Sequence, residues 1–308
     1  MLSLADINPH ERDMHISFQE QGHVYTIDGD RSFVSTTTLV HRHFKPFDAD
    51  TIITKMMRSK KWQQSKYFGQ TPEEIKSGWN ANGKAAAEAG TKLHADIESF
   101  YNGIPVVNDS IEYSHFQNFE KEHRQLKPFR TEWYVWDKEH KLCGSIDMVY
   151  DNGDGTFSIY DWKRSKEIKQ TNSFGERGLS DSTKHLHDCN FYHYALQLNV
   201  YKALLEKNYG IRVTDLVVVC LHPNNANYQK YKILDLQKEV GLLLMERLME
   251  VNGVETEEIE VEERVLDGVS YLVDDNNNIV DESGDIIGLW SPNDMLGESN
   301  SANTRKGT

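Results

Sequence analysis

A mixed α/β fold, a small central sheet flanked by helices, is what this sequence predicts, and three observations predict it. Ala86, Ala89, Leu93, Ile97 and Phe100 recur at spacings of three and four, which draws one apolar stripe down a helix over 83–100. Lys138-Glu139-His140-Lys141 and Asp151-Asn152-Gly153-Asp154-Gly155 are turn signals between three runs rich in aromatic and β-branched residues, so 131–136, 142–150 and 156–163 are predicted as consecutive antiparallel strands. A helix over 192–209, stopped at Gly210, is followed by the apolar run Leu216-Val217-Val218-Val219-Cys220-Leu221, which reads as a buried strand over 215–221. The order α-β-β-β-α-β sets helices against one mixed sheet.

The remaining elements follow in chain order. His23-Val24-Tyr25-Thr26-Ile27 alternates as a strand does, Asp28-Gly29-Asp30 turns, and Phe33-Val34 resumes. Ser35-Thr36-Thr37-Thr38 supplies N-caps for a helix beginning near Leu39. Residues 49–80 form an N-terminal helical region, polar in texture, with Lys55, Arg58, Lys60 and Lys61 beside Trp62. Cations mixed with aromatics suit a nucleic-acid strand, and a solvated helix face has the same composition. Asn102-Gly103-Ile104-Pro105 ends the striped helix, and a second helix is expected over 111–125. Residues 164–190 read as a polar loop, 228–233 as a strand pairing with 215–221, and 235–251 as a last amphipathic helix. Beyond 251 a short hairpin is expected over 271–280 and disorder over 299–308.

Composition narrows the function. A chain of 308 residues, 38% of them hydrophobic, suits one large domain or two small ones. No run of about 18 apolar residues occurs, so no membrane helix is expected. The start, Met1-Leu2-Ser3-Leu4-Ala5-Asp6, has no basic and apolar leader. Cys143, Cys189 and Cys220 are the three cysteines, too few for a four-cysteine zinc or iron–sulfur site. A soluble, intracellular protein of cytoplasm or nucleus is expected. Of the net charge of -14, eleven units fall after residue 250, where fourteen acids face only Arg264, Arg305 and Lys306. The nearly neutral body therefore leaves nucleic-acid binding open.

The chemistry gathers on the middle strands. Asp147, in Gly144-Ser145-Ile146-Asp147, and Asp161, in Asp161-Trp162-Lys163, lie on hairpin-linked strands, so both carboxylates can reach one end of the sheet. Alternation puts Asp161 and Lys163 on one face and Trp162 on the other. Two carboxylates suit a hard divalent cation, and such an ion can acidify a water and hold a phosphodiester. Lys163 can orient or deprotonate that water, or neutralise the charge developing on phosphorus. Glu74-Ile75-Lys76 and Glu139-His140-Lys141 carry the same acidic-x-Lys spacing outside a strand, and a plain ion pair fits the tripeptide too. Two helices add support. His94 and Glu98 lie one turn apart beside the Leu93/Ile97 stripe, and Gln197 and Tyr201 share a face of the later helix.

Gly90…His94, Glu132, Gly144-Ser145-Ile146-Asp147, Asp161-Trp162-Lys163 and Gln197…Tyr201, in this order and spacing, resemble the RecB-like exonuclease branch of the PD-(D/E)XK nuclease superfamily. The resemblance covers roughly residues 80–225. Trp79…Gly83…Gly90-Thr91…His94 and Asp161-Trp162-Lys163-Arg164-Ser165-Lys166 are similar to the versions carried by large DNA viruses, which implies a viral replication compartment for a virus-encoded chain. It implies a restriction-endonuclease-like core within a nuclease domain over 1–250, an arch or clamp at 49–80, and an acidic tail over 251–308. Its catalytic positions fall on Lys163, Asp161, Asp147 and Glu132. Its metal ligands fall on His94, Asp147, Asp161 and the Trp162 backbone carbonyl, with Mg²⁺ or Mn²⁺ bound. Gln197 and Tyr201 match positions that orient the lysine and touch the DNA backbone. Arg164 and Lys166 follow the catalytic strand as DNA-binding candidates, and helix spacing adds Glu98 as a supporting group.

The implied activity is hydrolysis of DNA, single-stranded or at duplex ends, by an exonuclease rather than an endonuclease, in replication, repair or recombination. The cysteine set is incomplete for the iron–sulfur cluster some relatives carry, and no Walker-type loop provides an ATP site. A replication or recombination protein is the expected partner of the tail, and no membrane is. Two rivals stand beside this reading: an inactive nuclease fold that binds DNA or protein, and a zinc hydrolase using His94 and Glu98. The second lacks a second histidine at helical spacing.

Overall fold

Side-chain caps and turns fix where the elements begin. The computed structural model describes residues 2–253, 261–266, 269–274, 277–280 and 286–290. In chain order these hold α1 (Leu4–Ile7), a 3₁₀ turn (Glu11–His15), β1 (Ile16–Gln19), β2 (Val24–Ile27), β3 (Val34–Ser35), α2 (Thr36–Arg42), α3 (Ala49–Met57), a second 3₁₀ turn (Trp62–Gln64), α4 (Pro72–Tyr101) and α5 (Ile111–Glu122). There follow β4 (Lys127–Asp137), β5 (Leu142–Asp151), β6 (Thr156–Lys163), α6 (Asn190–Asn208), β7 (Arg212–Cys220), β8 (Gln229–Lys232) and α7 (Gln237–Val251). The chain divides into two units, Met1–Asn252 and Gly253–Thr308.

In the first unit the central sheet runs β3-β5-β6-β7-β8, with β4 on the remaining edge of β5. β4, β5 and β6 are antiparallel neighbours, β6 and β7 are parallel, and β8 returns antiparallel to β7. This is the mixed sheet flanked by helices that the element order predicts. Alternation along β6 and β7 divides the core. Ile159, Val218 and Cys220 pack with Leu196, Val200 and Leu204 of α6 and Leu243 of α7. Tyr160, Trp162, Val217 and Val219 pack with Leu93 and Ile97 of α4 and Phe116 and Phe119 of α5.

The largest difference from expectation is α4, which starts at Pro72 rather than near Gly83. Thr71 accepts from the Glu74 amide, Glu74 caps back onto Thr71, and Pro72 takes the first turn, a strong helix start. Its early turns carry only one buried apolar residue, Ile75, so they show no stripe to read. They pack instead on α3, where Ile53 is buried and Lys76 pairs with Asp50 at 2.7 Å. The segment 49–80 is thus α3, a 3₁₀ turn and the beginning of α4.

One registry detail places the site. β6 pairs β5 only through Phe157–Tyr160 with Met148–Asp151, and β3 takes the other end of β5 at Leu142 and Cys143. Asp161, Trp162 and Lys163 pair with β7 alone. The strands therefore fork, and Gly144–Asp147 faces Asp161–Lys163 across a gap in the ladder.

The second unit is a four-stranded antiparallel sheet, β9 (Val261–Leu266), β10 (Val269–Asp274), β11 (Asn278–Val280) and β12 (Ile286–Leu289), in the order β12-β11-β10-β9. The hairpin expected over 271–280 falls on β10 and β11. The end expected to be disordered, 299–308, lies outside the described residues.

Candidate active site

Asp147 closes the fork. Its Oδ2 accepts the Trp162 amide at 2.8 Å, a backbone donor freed by the divergence of β5 and β6. The Trp162 carbonyl lies 2.8 Å from Nε2 of His94 on α4. Nδ1 of His94 is 3.5 Å from Asp147 Oδ2 and 3.6 Å from Glu132 Oε1. His94, Glu132 and Asp147 each offer a ligand atom, all within 4.8 Å of one another.

Glu132 reaches this cluster from the middle of β4 with φ at 42°. The left-handed conformation of a non-glycine residue inside a strand costs on the order of 1 kcal/mol. Ser145 Oγ donates to the other Glu132 oxygen at 2.7 Å. Burial opposes ionisation of Glu132, but His94 and Ser145 outweigh it and hold the carboxyl below its usual range. Burial dominates at Asp147, with the Asp161 charge adding to it, and pushes that carboxyl up to about 7. His94 is opposed by burial too, yet the Asp147 and Glu132 carboxylates raise it to about 9.

Across the fork, Asp161 is buried and holds Lys163 Nζ at 2.9 Å from Oδ1. The same ammonium lies 2.8 Å from Oδ2, so it straddles both carboxylate oxygens. The Nζ also lies 5.0 Å from the centre of the Tyr194 ring. Burial disfavours the ammonium, but Asp161 and Asp147 prevail and raise its pKa. Lys163 is therefore a fixed positive charge.

Helix α6 packs beside the fork through Tyr201, whose Oη and Cε1 would stand 2.7 and 2.8 Å from a Cβ at position 144. The glycine of Gly144-Ser145-Ile146-Asp147 is what admits this ring. Gln197 donates to the Tyr201 hydroxyl at 3.4 Å.

The sequence profile of the PD-(D/E)XK nuclease superfamily matches residues 65–267. This chain belongs to the PD-(D/E)XK nuclease superfamily. No curated protein matches it. Among solved structures it is similar to SSO0001, at 14% identity and a TM-score of 0.31, over 72% of this chain and 77% of that one. It is also similar to a candidate exonuclease from Eubacterium rectale, at 13% identity and a TM-score of 0.27, over 52% of this chain and 75% of the other.

Set against the superfamily motifs, the fold brings His94, Glu132 and Asp147 into one cluster and joins it through the Trp162 backbone to Asp161 and Lys163. Arg164 is held by Glu112 of α5 at 2.7 Å and is largely buried, whereas Lys166 is exposed. Glu98 shares with Glu132 and Arg130 a small cavity of about 240 Å³, and burial plus the Glu132 charge raise its pKa. Ser145 and Tyr194 belong to the site without having been singled out. Tyr194 lies three residues before Gln197, a spacing that could have found it.

Superfamily members typically use divalent metals, and these residues fit one: the oxygen and imidazole donors of His94, Glu132 and Asp147 lie within 4.8 Å of one another. A second group, Asp137, Glu139 and His140, also has ligand spacing. There Lys207 lies 3.0 Å from Asp137 and 2.5 Å from Glu139, so an ammonium already balances the acids.

Proposed function

We propose that this chain is a metal-dependent DNA exonuclease of the RecB-like branch, working in DNA replication, repair or recombination. The observation that carries the reading is the forked strand pair, which sets the His94, Glu132 and Asp147 donors beside the fixed Asp161–Lys163 pair. His94, Asp147, Asp161 and the Trp162 carbonyl would hold Mg²⁺ or Mn²⁺, with Glu132 in support. The bound ion supplies Lewis-acid stabilisation of the phosphate and acidification of a water. Lys163 contributes its positive charge where negative charge develops on the phosphoryl oxygens. Asp161 and the Tyr194 ring keep that ammonium in place, and Glu132 and Asp147 orient the His94 imidazole. Tyr201 is buried against Gly144 and serves in this reading to position the partly exposed Gln197 beside the fork, where Gln197 can meet the DNA backbone, and Lys166 lies just beyond the catalytic strand.

Exonucleolytic action is tested with end-labelled linear DNA and covalently closed circles of the same sequence, in Mg²⁺, Mn²⁺ or EDTA. Degradation of the linear form with either ion, none in EDTA, and intact circles are expected. Nicking of the circles at a comparable rate contradicts an exonuclease and makes the enzyme an endonuclease.

A further inference from the structure

We propose that the connection between α3 and α4, through Arg58, Lys60, Lys61 and Lys66, grips the backbone of the DNA duplex behind the bond being cleaved. The proposal rests on the nuclease reading and adds a second contact to its substrate. From Thr51 to Thr71 the chain holds five cations and no acid. Lys55 opens on a cavity that Glu176 and Asp188 also line, so acids share its surroundings. Arg58, Lys60, Lys61 and Lys66 are exposed, and none of the four meets a carboxylate within 4.0 Å among the described residues. The nearest acids in sequence, Asp50 and Glu73, lie outside the connection, and Asp50 is already matched by Lys76 at 2.7 Å.

A solvated helix face looks different on the same molecule. Lysines farther along α4 pair with acids one turn on, Lys84 with Glu88 at 3.9 Å and Lys92 with Asp96 at 2.6 Å, which is how an exposed helix balances its charge. The four cations between Arg58 and Lys66 repel one another in the free protein, and a shared polyanion relieves that repulsion. DNA presents one phosphate charge per about 1.7 Å of duplex axis. The connection is also held in place. Trp62 packs edge-on against Phe68 with ring centres 6.0 Å apart, Trp79 of α4 donates to the Tyr67 hydroxyl at 2.8 Å, and the Lys66 ammonium lies 4.8 Å from the Tyr67 ring centre. With these rings turned on one another, the surface offers charge rather than a stacking platform, which suits the phosphates of a duplex and not unstacked bases.

Helix α4 sets the distance. Between Ile75 and Leu93 none of its residues is buried, and residues 80–88 are exposed on every side, the pattern of a helix that crosses solvent between two packed ends. From Trp79, beside the connection, to His94 in the donor cluster the same helix runs roughly 22 Å. A straight duplex covers that span in about six base pairs. The contact therefore falls several nucleotides from the reacting bond and positions the duplex without reading its sequence.

The test is fluorescence anisotropy of the full chain in EDTA with a labelled blunt duplex of about 20 base pairs, titrated between about 50 and 200 mM salt. Lys60→Gln/Lys61→Gln should flatten the slope of log affinity against log salt by about two, each single variant by about half of that, and weaken low-salt binding about tenfold or more. Lys232→Gln, which removes an exposed lysine paired with Asp215 at 2.7 Å on β8, should leave slope and affinity unchanged. A parental slope in the double variant overturns the proposal. So does an equal loss in Lys232→Gln, an effect confined to single-stranded DNA of the same length, or a parent that binds no duplex. Cleavage in Mg²⁺ or Mn²⁺, assayed in parallel, separates the readings. A flattened slope in a protein that never cleaves keeps the connection as a DNA contact and defeats the nuclease reading, whereas cleavage with an unchanged slope defeats the contact alone.

Discussion

Asp147 and His94 bind their protons more tightly in the folded protein than in the unfolded chain, whereas Glu132, held below its usual range by His94 and Ser145, binds its proton less tightly. Asp147 is raised to about 7 and His94 to about 9, so both shifts have the same sign. Stability of the metal-free protein from these groups falls as pH rises through about 7 and again through about 9. A cation needs the same groups deprotonated, so metal affinity should climb over that window and binding should release protons. Calorimetry of Mn²⁺ binding at pH 7.5 in two buffers of different ionisation enthalpy checks this, and an apparent enthalpy independent of buffer contradicts it. Asp147, Asp161 and Lys163 were legible in the sequence because a strand, a tight turn and a second strand fix their spacing. The proton sharing was not, since it depends on the φ of Glu132 and on a helix packed from more than thirty residues upstream.

Among the elements, β5, β6 and α6 define the fork. The strand runs and their turns announced the hairpin, and Thr156–Lys163 matches the predicted strand end for end. The fork itself was not readable. Periodicity reports which face a residue occupies, whereas divergence depends on β6 keeping β7 as its partner after leaving β5. The early turns of α4 were missed for a related reason: their stability comes from a cap and from contact with α3, which leave no stripe. Gly144 shows how closely α6 must approach β5. Gly144→Ala should destabilise the fold by about 1–3 kcal/mol through overpacking against Tyr201. Thermal unfolding reads this as a drop of about 2–4 °C per kcal/mol for a domain of this size. An unchanged midpoint contradicts the tight seating of Tyr201.

At the scale of the whole molecule, the acid-rich end and the nuclease fold fall in different units, with the boundary after Asn252. The charge distribution suggested this division, because a net charge of -14 is concentrated beyond residue 250. The four strands there were only half legible, since runs such as Val261-Glu262-Glu263-Arg264-Val265-Leu266 are too charged to read as sheet. Each unit has its own hydrogen-bonded sheet, so a chain ending at Asn252 should fold and retain metal-dependent cleavage. Aggregation or loss of cooperative melting in that truncation contradicts the division. Among the described residues no helix is long and apolar enough to cross a membrane.

We propose that Lys163, beside the clustered donors of His94, Glu132 and Asp147, makes this fork a catalytic site. The most direct test is a gel assay of labelled DNA with Mg²⁺ or Mn²⁺, comparing the parent chain with Lys163→Ala at matched folding by circular dichroism. Cleavage by the parent, a loss of at least about 100-fold in the variant, and none by either in EDTA are expected. Cleavage by folded Lys163→Ala at the parental rate would contradict it.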